Sequence, residues 1–295
     1  MAVISNETHL NTLERATETV RAVGIHMEMV SPGDFKQTES DFVGEGVAAI
    51  AVSRDGGTVN PEPTTVGYLE SAKRQHVGVW TGVGVQRIIA AEGVVSGVET
   101  TSGVIEAPNV ILAAGSWTGQ LMDGAGLQSP FVDRDQVVGV FDVPPGKAPL
   151  SHTVIDLPNA MTYRYAMENR YVFQPLSVGS VTESALNADP SLYVGMMSEL
   201  RERIVGRFRG LEQSVLQPGW SGVWNLTSDG FPIVGETEVE GLWVAAGFGN
   251  SGFLAIPAAT EMLAQALKGN REMPDVFSPK RFPVEPTQAW DGLVI

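Results

Sequence analysis

From Gly241 to Gly269 the sequence GLWVAAGFGNSGFLAIPAATEMLAQALKG runs from an apolar strand-like stretch through a glycine-rich turn into a long helix-forming stretch. This feature constrains the fold most, because a strand delivered onto a helix N-terminus belongs to an α/β architecture. Gly247, Gly249 and Gly252 permit backbone angles closed to other residues. The turn then aims N–H donors and the positive end of a helix dipole at whatever lies beyond it. Pro257 sits inside the helical stretch and is expected to bend it or to break it near its start.

The rest of the chain fits a sheet-rich α/β protein. Its 33 Gly and 18 Pro are spread along 295 residues rather than clustered, so they mark tight turns between short strands. Helical spacing of Leu10, Leu13, Ala16, Val20 and Val23, stopped by Gly24, predicts a first helix over 8–23. The polar segment SPGDFKQTES predicts a short helix or turn, and GVAAIAV (46–52) a buried strand. Asn60 is placed to cap a helix reaching about His76, with Pro61 and Pro63 tolerated in its first turn. The runs VWTGVGVQRII, VVSGVETTSG and VIEAPNVILAAG predict a three-stranded meander whose last run is a buried strand. A helix follows it directly.

VVGVFDV, MTYRYAM and RYVFQPL predict strands of a second sheet, with a turn at Glu168 and Asn169 and an end at Gly179. A helix is expected from Asp189 to about Arg209, with Leu192, Met196, Leu200, Ile204 and Phe208 on one face. Trp220 to Leu226 predicts a further strand, and the segment from Pro274 reads as a turn-rich tail. No repeat or low-complexity tract occurs.

Several functions are disfavoured by composition. A formal net charge of −15 repels nucleic acid and anionic membrane surfaces. The chain has no cysteine, so disulfides, thiolate metal sites and cysteine nucleophiles are excluded. The four histidines show no ligand spacing, and no metal site is expected. No apolar run approaches the length of a membrane span, and the first residues do not read as a signal peptide. A cytoplasmic protein is the expectation.

Four segments, in order, resemble the flavin oxidoreductase family that contains D-amino-acid oxidase, glycine oxidase and sarcosine oxidase. They are DGGTVNP (55–61), NVILAAGSWTGQL (109–121), WSGVWNLTSDGFPIVG (220–235) and the stretch from Gly241 to Gly269; FSPKRF (277–282) also looks like the family's ending. The resemblance covers nearly the whole chain. It implies an α/β protein in which a Rossmann-like FAD-binding lobe, here incomplete, is interleaved with an antiparallel-sheet substrate lobe. The expected bounds are about 61–126 and 220–270 for the first lobe, and about 25–60 and 127–219 for the second.

The same resemblance implies FAD as cofactor and a small amine or amino acid as substrate, oxidised at its CH–NH group by hydride transfer to the flavin. Val85, beside Gly84, falls where the family's adenine edge meets main chain. Ala113, Ala114, Gly115 and Trp117 form a strand-to-helix turn without bulk, which a dinucleotide can approach. Gly247, Gly249, Asn250, Ser251, Gly252 and Phe253 correspond to the loop facing the flavin N1/O2 edge, where negative charge gathers on reduction.

Substrate anchoring departs from the family. Trp224 stands where glycine and D-amino-acid oxidases place an Arg for the substrate carboxylate, and Leu254 where monomeric sarcosine oxidases place a Lys. Either the carboxylate is held elsewhere, with Arg164 the nearest candidate, or the substrate has no carboxylate beside its amine. Arg164 reads equally as a solvated strand residue, and Trp224 as stacking on substrate or as core. Tyr163 and Tyr165 are read as alternating faces of their strand, one toward the flavin and the other packed or exposed.

Full-length relatives begin with a strand, a G-x-G-x-x-G loop and a helix, and the chain is read as containing no such loop. A missing N-terminal segment or a partner chain would then supply the pyrophosphate site. The alternatives to an amine-oxidising flavoenzyme are a non-catalytic subunit or remnant that lends its substrate lobe to a partner, and a related enzyme acting on CH–OH groups.

Overall fold

A computed structural model describes residues 1–166, 169–176 and 194–282. The short apolar runs assemble into one large sheet and two small ones. The large sheet has the order β12 (Leu216–Thr227), β8 (Phe131–Asp142), β11 (Arg170–Pro175), β10 (Met161–Ala166), β9 (Val154–Asp156), β1 (Ala2–Ser5), β3 (Ala49–Val52), β2 (Glu28–Val30). Its pairs are antiparallel except β1 with β9.

One face of this sheet carries the main core. Ile4, Ile50, Phe141, Val154, Met161, Tyr163, Tyr171 and Phe173 pack there against Phe35 of α2 (Pro32–Thr38), against Phe42, and against Leu200, Ile204 and Phe208 on and just beyond α5 (Val194–Arg207). The i, i+4 spacing of the last three makes one helical stripe. Met196, expected on it, is 42% exposed. The Arg207 Nε donates to buried Asp156 Oδ2 at 2.9 Å, and its Nη1 donates to the carbonyls of Val43 and Glu45. These bonds satisfy a charge pair that would otherwise be costly to bury. The opposite face is covered at its β1–β3 end by α1 (Leu10–Ala22), through Leu13 and Val20. At its β8–β12 end that face lines a cleft.

The second region holds the meander β4 (Val85–Ala91), β5 (Val94–Thr100), β6 (Gly103–Glu106) and a separate sheet. In that sheet β14 (Leu242–Ala246) lies between antiparallel β13 (Ile233–Glu236) and parallel β7 (Val110–Leu112). Ile88, Val95, Leu112, Met122, Ile233, Leu242 and Val244 form its core. Helix α6 (Gly252–Leu267) packs Ala259 and Leu263 onto Val234. Pro257 is accommodated within α6, whose start is a tighter 3₁₀ turn over Gly249–Ser251.

Helices α1, α2, α5 and α6 lie where the sequence predicts them, as does α3 (Pro61–Arg74), whose Glu62 N–H donates to the Asn60 side chain at 3.1 Å. The predicted third meander run is two strands, β6 and β7, in different sheets, because Ala107-Pro108 interrupts it and Pro cannot donate to a ladder. The lobe boundary expected at 220 falls inside β12, which belongs to the large sheet over its full length. Glu168, Gly179 and the start of the helix predicted from Asp189, Leu192 included, lie outside the described residues.

Candidate cofactor and substrate site

Two loops meet at one end of the small parallel pair. Strands β7 and β14 run in the same direction, with Leu112 opposite Val244, so AAGSW after β7 and GFGNSGF after β14 leave from the same carboxyl ends. In open α/β sheets that end is where ligands bind. After β7 the chain makes a 3₁₀ turn over Gly115–Trp117 and enters α4 (Thr118–Gly124). Gly115 has φ +55°, and a Cβ built there would meet open space.

The other loop is sterically fixed. Gly247 has φ +75°, and a Cβ on it would stand 2.7 Å from Thr227 Cγ2 and 2.9 Å from the Phe131 ring. Gly249 has φ +53°, and its Cβ would come within 2.6 Å of Leu226. No side chain caps α6, whose start follows directly on the 3₁₀ turn, so its dipole end is not neutralised by a side chain of the loop. The spacing of Gly247, Gly249 and Gly252 is itself G-x-G-x-x-G, after a strand and opening a helix, which corrects the reading that the chain has no such loop. No parallel strand follows α6 among the described residues, so this is not a βαβ unit.

A polar relay that sequence reasoning missed joins the two loops. The Gly247 N–H donates to Asn225 Oδ1 at 3.0 Å, and Asn225 Nδ2 donates to Asp133 Oδ1 at 2.8 Å. Ser116 of the first loop also hydrogen-bonds Asp133. Burial pushes the Asp133 carboxyl above its ordinary range, against the pull of the Asn225 and Ser116 hydrogen bonds. Next to it Arg281 clasps the Ser228–Pro232 turn. Its Nε and Nη2 reach the two Asp229 oxygens at 2.6 and 2.9 Å, and its remaining donors take the Phe231, Pro232 and Ser278 carbonyls. Burial alone would raise the Asp229 carboxyl, but the bonds from Arg281 and the Phe231 N–H hold it below its usual range.

The predicted cofactor residues fall into two groups. Val85, Ala113, Ala114 and Trp117 line a single cleft of about 800 Å³ between the meander and β7. Gly247, Gly249, Asn250, Ser251, Gly252 and Phe253 surround the start of α6. A roomy cleft floored by small residues at one end, and a helix start with no side-chain cap at the other, fit an elongated dinucleotide.

The substrate candidates do not converge. Tyr163 and Tyr165 are two positions apart and share a face, because strand side chains repeat with period two; both rings lie on the core side, which corrects the expectation that they alternate. Tyr163 is 1% exposed and donates to Asp156 at 3.4 Å. Burial, then the Asp156 charge, pushes its phenol well above the ordinary value, so it stays neutral. The Tyr165 ring packs edge-on against Tyr171, while the residue, at the strand's end, also borders a second cleft on the opposite side of the sheet. Arg164 lines that cleft directly. Trp224 is half-buried opposite Arg134, on the Arg164 side of the sheet but farther along it.

A large sheet packed with helices, beside a small sheet whose two loops leave from the same carboxyl ends, is an α/β arrangement suited to a nucleotide cofactor. The chain belongs to the FAD dependent oxidoreductase family, DAO, which it matches over residues 1–266. It is 30% identical over 206 residues to a D-amino acid dehydrogenase of Cereibacter sphaeroides, an alignment covering 70% of this chain and 45% of that protein. The chain thus spans about half the length of the curated relatives it matches. Among solved structures it resembles L-proline dehydrogenase from P. horikoshii, with a TM-score of 0.86 at 19% identity over 95% of this chain and 75% of that one. It also resembles glycine oxidase from Geobacillus kaustophilus, with a TM-score of 0.80 at 22% identity over 95% and 74%. No described helix is long and apolar enough to cross a membrane.

Proposed function

We propose that this chain is the larger part of an FAD-dependent oxidoreductase that oxidises the CH–NH group of a small amine or amino acid, acting in the cytoplasm. The observation that carries this reading is the pair of glycine turns at the carboxyl ends of β7 and β14, tied together by Asp133 and Asn225. The flavin supplies the hydride acceptor. The chain's own residues hold and orient: AAGSW and Val85 would seat the nucleotide end, and the α6 N-terminus would place its dipole beneath the flavin edge that becomes negative. Dehydrogenase and oxidase activities on amino acids among its relatives support the substrate class.

A further βαβ unit, from the same polypeptide or a partner chain, would complete the cofactor lobe along the outer edge of β7. Among the described residues β7 pairs with β14 alone, Ile111 is 46% exposed and α3 buries none of its residues. About a quarter of each solved neighbour also has no counterpart here. The same exposure favours a second reading, a subunit that lends its sheet to a partner and has no turnover of its own.

Flavin titration decides between them. Purified chain, alone or mixed with a separately produced βαβ segment from a relative, should quench FAD fluorescence saturably, and bound flavin should bleach anaerobically with amino acids. Failure of FAD uptake under both conditions overturns the enzyme reading; uptake without bleaching leaves the second.

A further inference from the structure

The cleft at the β8–β12 end of the large sheet is a second place shaped for a ligand. It measures about 730 Å³, and the Thr58–Pro61 part of the DGG turn forms one wall. One row crosses four strands beneath it: Arg164 opposite Val172, Val172 opposite Val140, Val140 opposite Gln217. The ladder slips between Gln217 and Trp220, where Pro218 cannot donate and a Cβ on Gly219 would stand 2.1 Å from the Val138 carbonyl. This bulge turns Trp220 into the cleft, where its side chain is 56% exposed.

The chemistry of the cleft is unbalanced. Its walls are apolar apart from a few groups, and Arg170 is held by Asp142 at 3.5 Å. Arg164 is half-buried and has no hydrogen-bond or ion-pair partner among the described residues. Elsewhere guanidinium groups of similar or greater burial are matched, Arg207 by Asp156 and Arg281 by Asp229. In a chain of net charge −15, a half-buried cation with no carboxylate partner among the described residues suits one from outside. Val140 and Arg134, which faces Trp224, are six positions apart on β8, roughly 20 Å at strand rise.

We propose that this cleft takes the carboxylate end of an elongated ligand with an apolar body, Arg164 forking the carboxylate and Trp220, Val140 and Val172 packing the body. The anion would then sit far from the glycine turns, consistent with Trp224 and Leu254 at the two positions where a carboxylate beside the amine would be bound. That the ligand is also the substrate rests on the proposed function; binding itself does not.

The probe is 3-phenylpropionate, with 3-phenylpropionamide as its uncharged match, titrated into the purified chain by calorimetry. The acid should bind, and the amide should bind about tenfold more weakly or worse. Arg164→Met should weaken the acid by about tenfold or more, Arg164→Lys by less, and neither should alter the amide. Unchanged thermal melting shows that both variants fold. Equal binding of acid and amide, unchanged acid binding in Arg164→Met, or no acid binding to the folded wild type each overturns the proposal. Acid binding without any FAD uptake would sink the enzyme reading and leave this one standing.

Discussion

Asn225 holds two loops in place with one side chain. Its carbonyl oxygen takes the Gly247 N–H and its amide feeds Asp133, so no isosteric apolar residue can substitute for it. Asn225→Leu is expected to leave two polar groups short of partners, at a cost of about 1–3 kcal/mol. It should weaken FAD uptake by about tenfold, an effect to be read by fluorescence titration beside urea unfolding. Asp229 makes a different kind of bond, with a pH dependence. Its carboxyl is held below the ordinary value, so its stabilisation is complete above the unfolded value of about 3.9 and fades as pH falls through the folded one. Asp229→Asn should therefore be less stable than wild type at pH 7, and the gap should narrow as pH falls below about 4 in acid-titration unfolding curves.

Helix α3 has the local signals of a stable helix and none of the packing. Asn60 caps it, Pro61 opens it, and Lys73 and Arg74 suit its C-terminal dipole, but it buries no residue, and Val66 and Tyr68 are 50% and 62% exposed. Most helical stability comes from a buried face. Amides of α3 should exchange with deuterium orders of magnitude faster than those of β10 and β11, and should slow when a segment docks on β7. Equal protection of α3 and the central strands would contradict this.

Elements with a long periodic stripe, such as α1 and α5, were legible in the sequence, and so were the hairpin strands around Tyr163 and Phe173. The short strands β1, β9 and β13 were not, because three or four residues carry no usable period, whereas the equally short β3 and β7 could be read from the longer apolar runs that contain them. The glycine turns could be read because their backbone demands are local. The Asp133–Asn225 relay and the Arg281 clasp could not, since they join residues 92 and 52 positions apart. The Tyr163/Tyr165 misreading was avoidable, as period two alone puts both on one face.

At the scale of the whole molecule, the two main cores are stitched through β12, whose Gln217 end reaches the cleft and whose Leu226–Thr227 end reaches the glycine loop before α6. β1 pairs with β3 on one side and with β9, about 150 residues away, on the other. About 100 residues separate β3 from β9, so a ribosome adding about 5–20 residues per second would leave β1 paired on one side only for roughly 5–20 s. Nascent chains thus spend this interval with a bare apolar ribbon, Ala2 to Ile4, which only the later arrival of β9 can cover. Production in cells should accordingly depend on holdase chaperones and should fall when translation ahead of β9 is slowed, more than it tracks the final stability of the sheet.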